Sequence, residues 1–485
     1  MPYLLLIVFP IIMGASCFLL RKQTRLALTL ALATAVSQLV LTAGLPIDTP
    51  ARLLGLTLAL DPIGRLFLFA FLAVSALGFV VAWQLPHGEN FAPITLVMLG
   101  LIISIVLLLQ EPFIVSLLLV SVGLVAVLAI VDLPTGSQSL VERSVLAAAI
   151  KYLVMMLIAG VVMYMGFVLV SIYTPGELPG RVSPARLVLG LLAIGFGLRL
   201  AILPFHSWMP DLADEAYPMV SVFVIGIINT TSLLFLLSSF QYFPVIVIEN
   251  DRGMTVLMIL GVITSLYGAL LAFAQPDLRR TIGYLLVHNT GMILFGLATT
   301  SITGVVGAIF ESLNQLIAIM LIFLSIALLE RPDGRPANVI RRDLLWRWPV
   351  ADTGLLGGVM ALLGIPPFGG FASKLMLDEA AAQHGGWYLL LLLGATAIGL
   401  LALARLAVNR LLGAPEDQPQ EEQPVVLGST ELDKPAERRL EAEPRGLSIV
   451  TVTLLAVCLV LGLFPQALVE TIHEVIRGLT FVRVG

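Results

Sequence analysis

Two stretches of the sequence decide the fold: GLRLAILPFHSWMPDLADEA at residues 197–216 and LLGIPPFGGFASKLMLDEA at residues 362–380. Each has a Pro-Phe pair inside an apolar run, followed ten or eleven residues later by Asp-Glu-Ala. Proline removes an amide donor and leaves carbonyl groups unpaired, which hydrocarbon tolerates only where protein or water satisfies the backbone. The shared pattern predicts an internal repeat with one discontinuous membrane helix in each copy. A simple packing kink at each proline is the alternative.

The composition indicates a membrane protein. Of the 485 residues, 59% are hydrophobic and 12% are charged, about half the charged share of an ordinary soluble protein. Such a chain needs lipid around it, which argues against a cytosolic enzyme, a nucleic-acid-binding protein and a secreted disulfide scaffold. Cys17 and Cys458 lie in the first and last apolar runs without a neighbouring Cys or His, so they are interpreted as core residues.

The apolar runs give the number of helices. A bilayer core about 30 Å thick requires about 20 apolar helical residues per crossing, which predicts an all-α polytopic membrane protein of about fourteen transmembrane helices. The first run is followed by RKQTR and preceded by no charge, the reverse of a signal peptide, so it is counted as a span. The predicted spans are 3–20, 26–45, 62–83, 92–110, 113–131, 147–172, 186–213, 219–241, 254–274, 281–299, 304–329, 350–382, 386–411 and 447–465.

The domain organisation follows from this count. The broken spans are the seventh and the twelfth. Because they are an odd number of spans apart, they cross the membrane in opposite directions, which predicts two five-helix repeats inverted in the membrane. Nine acids, four bases and no apolar period near residue 430 are typical of a flexible connector. The predicted units are helices 1–3 at 1–91, the first repeat at 92–243, the second repeat at 254–412, the acidic connector at 413–446, and helix 14 with the C-terminal tail at 447–485.

The distribution of basic residues predicts the orientation. With the N-terminus outside, seventeen Lys and Arg residues fall in inner loops and seven fall in outer segments. Because cytoplasmic loops carry an excess of these residues, the pattern predicts that both termini lie outside.

A cation lies beside each proline break. Arg199 precedes Pro204 by five residues, and Lys374 follows Pro367 by seven. Lysine can lose its proton when it is desolvated, whereas arginine stays charged, so Lys374 is a candidate proton relay and Arg199 a fixed charge. Asp378 lies one helical turn after Lys374 and is its candidate partner. A purely structural ion pair is the alternative.

Glu311 is the strongest of the remaining candidates, because it is an isolated carboxylate after the apolar run ITGVVGAIF. Inside a membrane such a group needs a partner or a proton, and either would suit proton handling. Other polar residues within spans are interpreted first as interhelical hydrogen-bonding groups. They are Asn229, His288, Asn289 and Asn314.

Three segments carry a resemblance to a known family: LPFHSWMPDLADEAYPMVS (203–221), AQPDLRRTIGYLLVHNTG (274–291) and LLGIPPFGGFASK (362–374). They resemble the antiporter-like membrane subunits of respiratory complex I, and the related subunits of multisubunit cation/proton antiporters and membrane-bound hydrogenases. The resemblance extends over about residues 61–412 and the ending LGLFPQAL at 461–468. It implies fourteen helices, two inverted five-helix repeats and discontinuous helices 7 and 12, in a subunit like the one nearest the quinone arm of a bacterial cytoplasmic-membrane complex.

The resemblance also implies a proton path, from which this chain departs. The family's fifth-helix glutamate falls on Val122, its seventh-helix lysine on Arg199 and its eighth-helix lysine on Asn229. The twelfth-helix lysine is retained as Lys374. The tenth-helix histidine falls on Asn289, beside His288, and the eleventh-helix base falls on Ile319 or Gln315, one turn from Glu311. The candidate path residues are Lys374, Arg199, Glu311, Asp378, His206, Asp211 and His288, and the candidate helix breaks are Pro204, Pro366 and Pro367.

These observations favour a proton-translocating membrane-arm subunit of a complex I-like NADH/quinone oxidoreductase, packed against other membrane-arm subunits and performing no redox chemistry. The chain has no GxGxxG, P-loop or Cys cluster, so no cofactor, metal site or nucleic-acid partner is expected. Whether the chain should itself be counted as an enzyme is left open. The alternatives are a subunit of a cation/proton antiporter or membrane-bound hydrogenase, and a structural spacer that has lost conduction. Neighbouring genes would separate these readings.

Overall fold

The computed structural model describes residues 2–47, 49–53, 55–85, 87–132, 143–172, 184–248, 250–330, 348–408 and 444–482. The predicted acidic connector at 413–446 lies outside these residues except for its last three. The basic residues between 331 and 347, which contribute to the predicted charge asymmetry, also lie outside them.

The described chain is built from helices that follow the predicted apolar runs. In chain order they are α1 Pro2–Leu19, α2 Thr24–Gly44, α3 Pro62–Ala82, α4 Phe91–Leu107, α5 Pro112–Val131, α6 Arg143–Ile172, α7 Pro184–Arg199, α8 Trp208–Glu215, α9 Pro218–Tyr242, α10 Val245–Ile248, α11 Asp251–Ala274, α12 Leu278–Ala298, α13 Ile302–Glu330, α14 Pro349–Leu363, α15 Gly370–His384, α16 Gly386–Leu406, α17 Arg445–Leu463 and α18 Gln466–Ile476. Within α9, the stretch Val222–Ile228 is a π-helix.

Ten of the described helices are long and apolar enough to cross a membrane, and three shorter apolar helices, Tyr3–Leu19, Phe91–Leu107 and Pro349–Leu363, accompany them. Large apolar side chains face outward, including Val161 at 65% exposure and Val256 at 62%. Hydrocarbon can solvate such side chains and water cannot, so the outer surface fits a bilayer.

A small hairpin corrects the all-helical prediction. The strands β1 Ala51–Leu53 and β2 Leu56–Leu58 pair antiparallel, with Ala51 opposite Leu58. Gly55 has a φ of +82° in the connecting turn, a conformation that glycine adopts without steric cost. The polypeptide between α2 and α3 therefore folds back on itself before it enters α3.

Both predicted broken spans are interrupted at their prolines. The first break separates α7, which ends at Arg199, from α8, which begins at Trp208. The second separates α14, which ends at Leu363, from α15, which begins at Gly370. The Leu203–Pro204 and Pro366–Pro367 peptide bonds are cis.

Helices α9, α12 and α13 form the centre of the molecule. Between 89% and 100% of their membrane-length segments are buried, compared with 22–33% for α6, α16 and α17. Polar side chains on the three central helices are therefore shielded from lipid by other helices, which is the condition under which a membrane protein tolerates them.

Candidate functional site

The second break is organised around backbone groups that the interruption releases. Gly364 has a φ of +73° and ends α14, a left-handed position that favours glycine. The Ala361 carbonyl accepts a hydrogen bond from Asn314 Nδ2 at 3.0 Å. The Gly369 amide donates to the Cys458 carbonyl of α17 at 3.0 Å. Side chains and backbone from α13 and α17 therefore satisfy groups that a continuous helix would have paired internally.

Glu311 lies fully buried beside this break, and its carboxylate accepts hydrogen bonds from three helices. Asn289 Nδ2 of α12 donates to Oε1 at 2.7 Å, and Asn314 Nδ2 lies 3.4 Å from Oε2. Ser373 Oγ of α15 also donates to Oε2. Asn289 Nδ2 is further shared with Gln315 Oε1 at 2.9 Å. Glu311 is thus isolated in the sequence but has hydrogen-bond partners in the structure, as a carboxylate inside a membrane requires.

Lys374 approaches the same carboxylate without forming a close ion pair. Its side chain is 4% exposed, and Nζ has no hydrogen-bond partner among the described residues. Electrostatic interactions link it to Glu311 and to Asp378. The aliphatic part of Lys374 passes Gly364, where an added Cβ would lie 2.7 Å from Lys374 Cδ.

The one-turn pairing of Lys374 with Asp378 is not formed. Among the described residues no ion pair within 4.0 Å joins them, and Asp378 Oδ1 is buried without a hydrogen-bond partner. The physical reason is that the lysine chain runs past Gly364 at the break, whereas helix spacing alone assumed that it would run along α15.

His288 is the third titratable group near Lys374. It is fully buried on α12, and its Nδ1 lies 2.9 Å from Ser265 Oγ and 3.1 Å from the Ser265 carbonyl of α11. It interacts electrostatically with Lys374, while its Nε2 has no hydrogen-bond partner among the described residues. The second break thus gathers a carboxylate, an ammonium and an imidazole in one interior region.

The first break has a different composition. Arg199 is 1% exposed, its Nε donates to Ser232 Oγ of α9 at 2.7 Å, and Nη1 lies 3.5 Å from Met156 Sδ of α6. Its Nη2 has no hydrogen-bond partner, and no carboxylate of the described residues lies within 4.0 Å of it. Trp208 Nε1 donates to the carbonyl of Leu198 at 2.9 Å, which ties the start of α8 to the end of α7.

Val122, onto which the sequence resemblance places the family's fifth-helix glutamate, lies on α5. It is fully buried. A Cβ on the adjacent Gly123 would lie 3.1 Å from Met156 Cβ, and Met156 contacts Arg199. Met156 therefore lies between α5 and the guanidinium.

His206 lies in the break just before α8 begins, and Asp211 lies in the first turn of α8. The His206 ring packs against Tyr267 and Tyr284, with centroid distances of 5.1 and 6.2 Å. Asp211 pairs with Lys151 at 2.7 Å and lies 3.8 Å from Arg280. The Lys151 and Asp211 side chains are 34% and 33% exposed, so this ion pair is partly solvated.

The sequence missed several residues that complete these sites. Ser373 and Gln315 are bonding members of the Glu311 network, and Lys151 is the partner of Asp211. Asn314 lies three residues after Glu311, so helical spacing could have paired them. Ser373 lies 62 residues away in sequence, and no local pattern signals that contact.

Comparisons with known proteins identify a family and a shared fold. Residues 117–400 match the family model described as NADH:quinone oxidoreductase/Mrp antiporter, TM. The NADH-quinone oxidoreductase subunit N of Chromohalobacter salexigens is 26% identical over 352 residues, 70% of each chain. Among solved structures, a chain of the Mrp complex from Dietzia sp. DQ12-45-1b superposes with a TM-score of 0.83 at 20% identity, covering 98% of this chain and 97% of that one. A chain of respiratory complex I from Thermus thermophilus gives a TM-score of 0.77 at 18% identity, covering 98% of both chains.

Proposed function

The chain belongs to the NADH:quinone oxidoreductase/Mrp antiporter transmembrane family, and from that premise we propose that it is an antiporter-like, proton-translocating subunit in the membrane arm of a complex I-like NADH/quinone oxidoreductase. The observation that carries the proposal is the fully buried Glu311 carboxylate, which at the second helix break accepts a hydrogen bond from Ser373, the residue next to the buried Lys374. The name of the Chromohalobacter relative supports the complex I assignment. The chain itself performs no redox chemistry in this proposal.

The proposed arrangement has fourteen crossings, with α7–α8 and α14–α15 each counted as one discontinuous span. Residues 1–91 precede a repeat at 92–243, an inverted repeat at 254–412, an acidic connector at 413–446 and a final unit at 447–485. Both termini lie outside a bacterial cytoplasmic membrane. The charge asymmetry of the loops and the matching positions of the two breaks support this arrangement.

Proton transfer is proposed to run through the second repeat. A buried carboxylate and a buried ammonium are each costly without the other, so a proton gained or lost by Lys374 changes the proton affinity of Glu311. The amide and hydroxyl donors on Glu311 hold the carboxylate toward the break. His288 and Asp378 are the proposed neighbours that pass protons to and from this pair.

The first repeat is proposed to contribute a fixed charge. Arg199 cannot release its proton at ordinary pH, so it biases the field of the path without relaying a proton. His206 and Asp211, at the partly solvated start of α8, are the proposed aqueous access to this half.

The proposed partners are other membrane-arm subunits, packed side by side in the bilayer. The chain should purify in detergent only within a larger complex. The antiporter-type alternative is favoured by the likeness to the Mrp chain, which shows a shared fold. Isolation of the chain alone as a stable, active transporter in liposomes would contradict the complex I assignment.

The test is the number of protons moved per electron in inverted membrane vesicles. Glu311→Gln keeps the side-chain shape but removes the carboxylate, and Lys374→Ala removes the ammonium; each should lower the ratio while the complex still assembles. Glu379→Gln is the matched control, because Glu379 lies on the same helix with its side chain exposed. An unchanged ratio in both variants would favour a structural spacer, and pumping that requires sodium would favour the antiporter assignment.

A further inference from the structure

We propose that Arg199 holds a small monovalent anion such as chloride inside the first half of the molecule. A guanidinium remains charged under all ordinary conditions, and a charge buried without a counter-charge is strongly unfavourable. Arg199 is 1% exposed, and among the described residues its polar contacts are the Ser232 hydroxyl and the Met156 thioether. Both are neutral, so they leave the charge unbalanced.

Buried polar atoms without a hydrogen-bond partner lie on the helices that surround this guanidinium. Among the described residues they are Arg199 Nη2, the Tyr152 hydroxyl, and Nδ2 and Oδ1 of Asn229, and Tyr152 and Asn229 are 1% and 2% exposed. Buried donors in proteins are almost always paired. A shared acceptor among them would satisfy the three donors at once.

The helical register places these donors around Arg199. Tyr152 lies one turn before Met156 on α6, and Met156 contacts the guanidinium. Asn229 lies three residues before Ser232 on α9, and Ser232 accepts from Nε. Tyr152 also packs on Trp208 at a centroid distance of 5.3 Å, and it interacts electrostatically with Arg199. Helices α6, α7 and α9 therefore each present one donor to the same region.

The chemistry favours a monatomic anion over other acceptors. Water would accept hydrogen bonds but would leave the positive charge of Arg199 unbalanced. A lipid phosphate or an organic carboxylate would need an open route to a side chain that is 1% exposed. A halide accepts several hydrogen bonds without a directional requirement and supplies one negative charge. The anion thus supplies the negative charge that no carboxylate of the described residues supplies within 4.0 Å of Arg199.

The test measures binding of radiolabelled chloride to the intact complex in detergent by equilibrium dialysis, with sodium gluconate as the chloride-free salt. The wild-type chain should bind chloride saturably, and its Tm should rise with chloride and level off at the same concentrations. Arg199→Gln should lose both effects. Arg405→Gln, which removes an arginine over Phe273 at the outer surface of α16, is the matched control and should keep them.

Two further variants keep the test decisive if Arg199→Gln does not assemble. Met156→Glu should lose chloride binding, because Met156 Sδ lies 3.5 Å from Arg199 Nη1 and a carboxylate there would replace the anion. Asn229→Leu should weaken chloride affinity about tenfold, the effect of losing one hydrogen bond to a charged group. Equal Tm values in chloride and gluconate with no bound chloride in the wild type, or unchanged binding in both variants, would overturn the proposal. None of these measurements depends on proton pumping, so they are independent of the proposed function.

Discussion

The two broken helices are both interrupted at proline, but different side chains surround the two interruptions. At the second break, Lys374 faces Glu311, whose carboxylate is held by Asn289, Asn314 and Ser373. At the first break, Arg199 meets a hydroxyl and a thioether, with no carboxylate of the described residues within 4.0 Å. This difference shows that a discontinuous helix creates a polar interior but does not by itself create a proton relay, because a relay requires groups that can change charge.

The largest expected effect is structural and compares the glycines near the two breaks. A Cβ at Gly370 would lie 1.9 Å from the Ala361 carbonyl oxygen and 2.9 Å from Asn314 Nδ2, so Gly370→Ala must displace backbone. We expect a loss of about 4 kcal/mol or more and failure to assemble. At Gly197 the nearest atom, Phe205 Cδ2, is 3.5 Å away, so Gly197→Ala should be tolerated.

Immunoblots of the subunit in purified complexes, together with Tm values, would check this comparison. Gly394→Ala, at a helical glycine with nothing within 4 Å, is the neutral control and should raise Tm slightly. Normal assembly of Gly370→Ala would show that the second break is looser than its contacts indicate.

The next effect concerns conduction in the first half. Arg199→Lys alone should change proton pumping little, because a lysine there still lacks an acid to exchange with. Arg199→Lys with Val122→Glu should recover a measurable proton flux, and the two changes should be non-additive because each supplies half of a buried pair. Protons moved per electron in vesicles, measured for both single variants and the double variant, decide the outcome. Abolished pumping in Arg199→Lys alone would mean that the arginine already serves as the family's lysine does.

A smaller effect separates two buried asparagines. Asn314 bridges the Glu311 carboxylate and the Ala361 carbonyl, so Asn314→Ala leaves a backbone acceptor without this partner and should cost about 1–3 kcal/mol. Asn229 makes no hydrogen bond to the described residues, so Asn229→Ala should cost less than about 1 kcal/mol in chloride-free buffer. Thermal unfolding of the complex in gluconate measures both. Equal losses would show that Asn229 has a partner comparable to that of Asn314.

The positions of the helices and of their interruptions could be predicted from the sequence more fully than the side-chain contacts of the candidate site. Apolar run length and the Pro-Phe pairs located both interruptions, because a membrane leaves few ways to satisfy a broken helix. The hairpin at Ala51–Leu58 was missed, although Gly55 between two short apolar runs is a turn signal. The π-helical stretch of α9 has no local signal, since VFVIGII is uniformly apolar.

The main residues of the candidate site could be predicted from the sequence, but the contacts between their side chains could not. Glu311 and Lys374 were found because charges inside apolar runs are rare. Among the described residues no ion pair within 4.0 Å joins Lys374 to Asp378, because helix spacing gives neighbouring positions and not the direction of a long side chain, which here passes Gly364. Ser373 comes from another helix, and such a contact depends on packing that a single sequence does not encode locally.

The smallest expected effect concerns the charged end of the first break. Lys151 and Asp211 form a 2.7 Å ion pair with about one third of each side chain exposed. Water screens such a pair, and ordering two side chains costs entropy, so Lys151→Met should lower the free energy of unfolding by about 0–1 kcal/mol and by less at high salt.

Arg279→Met is the contrasting variant. Arg279 is 7% exposed, pairs with Glu330 at 2.9 Å and donates to the Ala216 carbonyl, so its loss should cost about 3–5 kcal/mol at any salt concentration. Chemical unfolding of the detergent-solubilised complex at low and high salt measures both. A salt-independent loss of several kcal/mol for Lys151→Met would mean that the α8 end of the first break is closed to water, and that His206 and Asp211 do not provide its aqueous access.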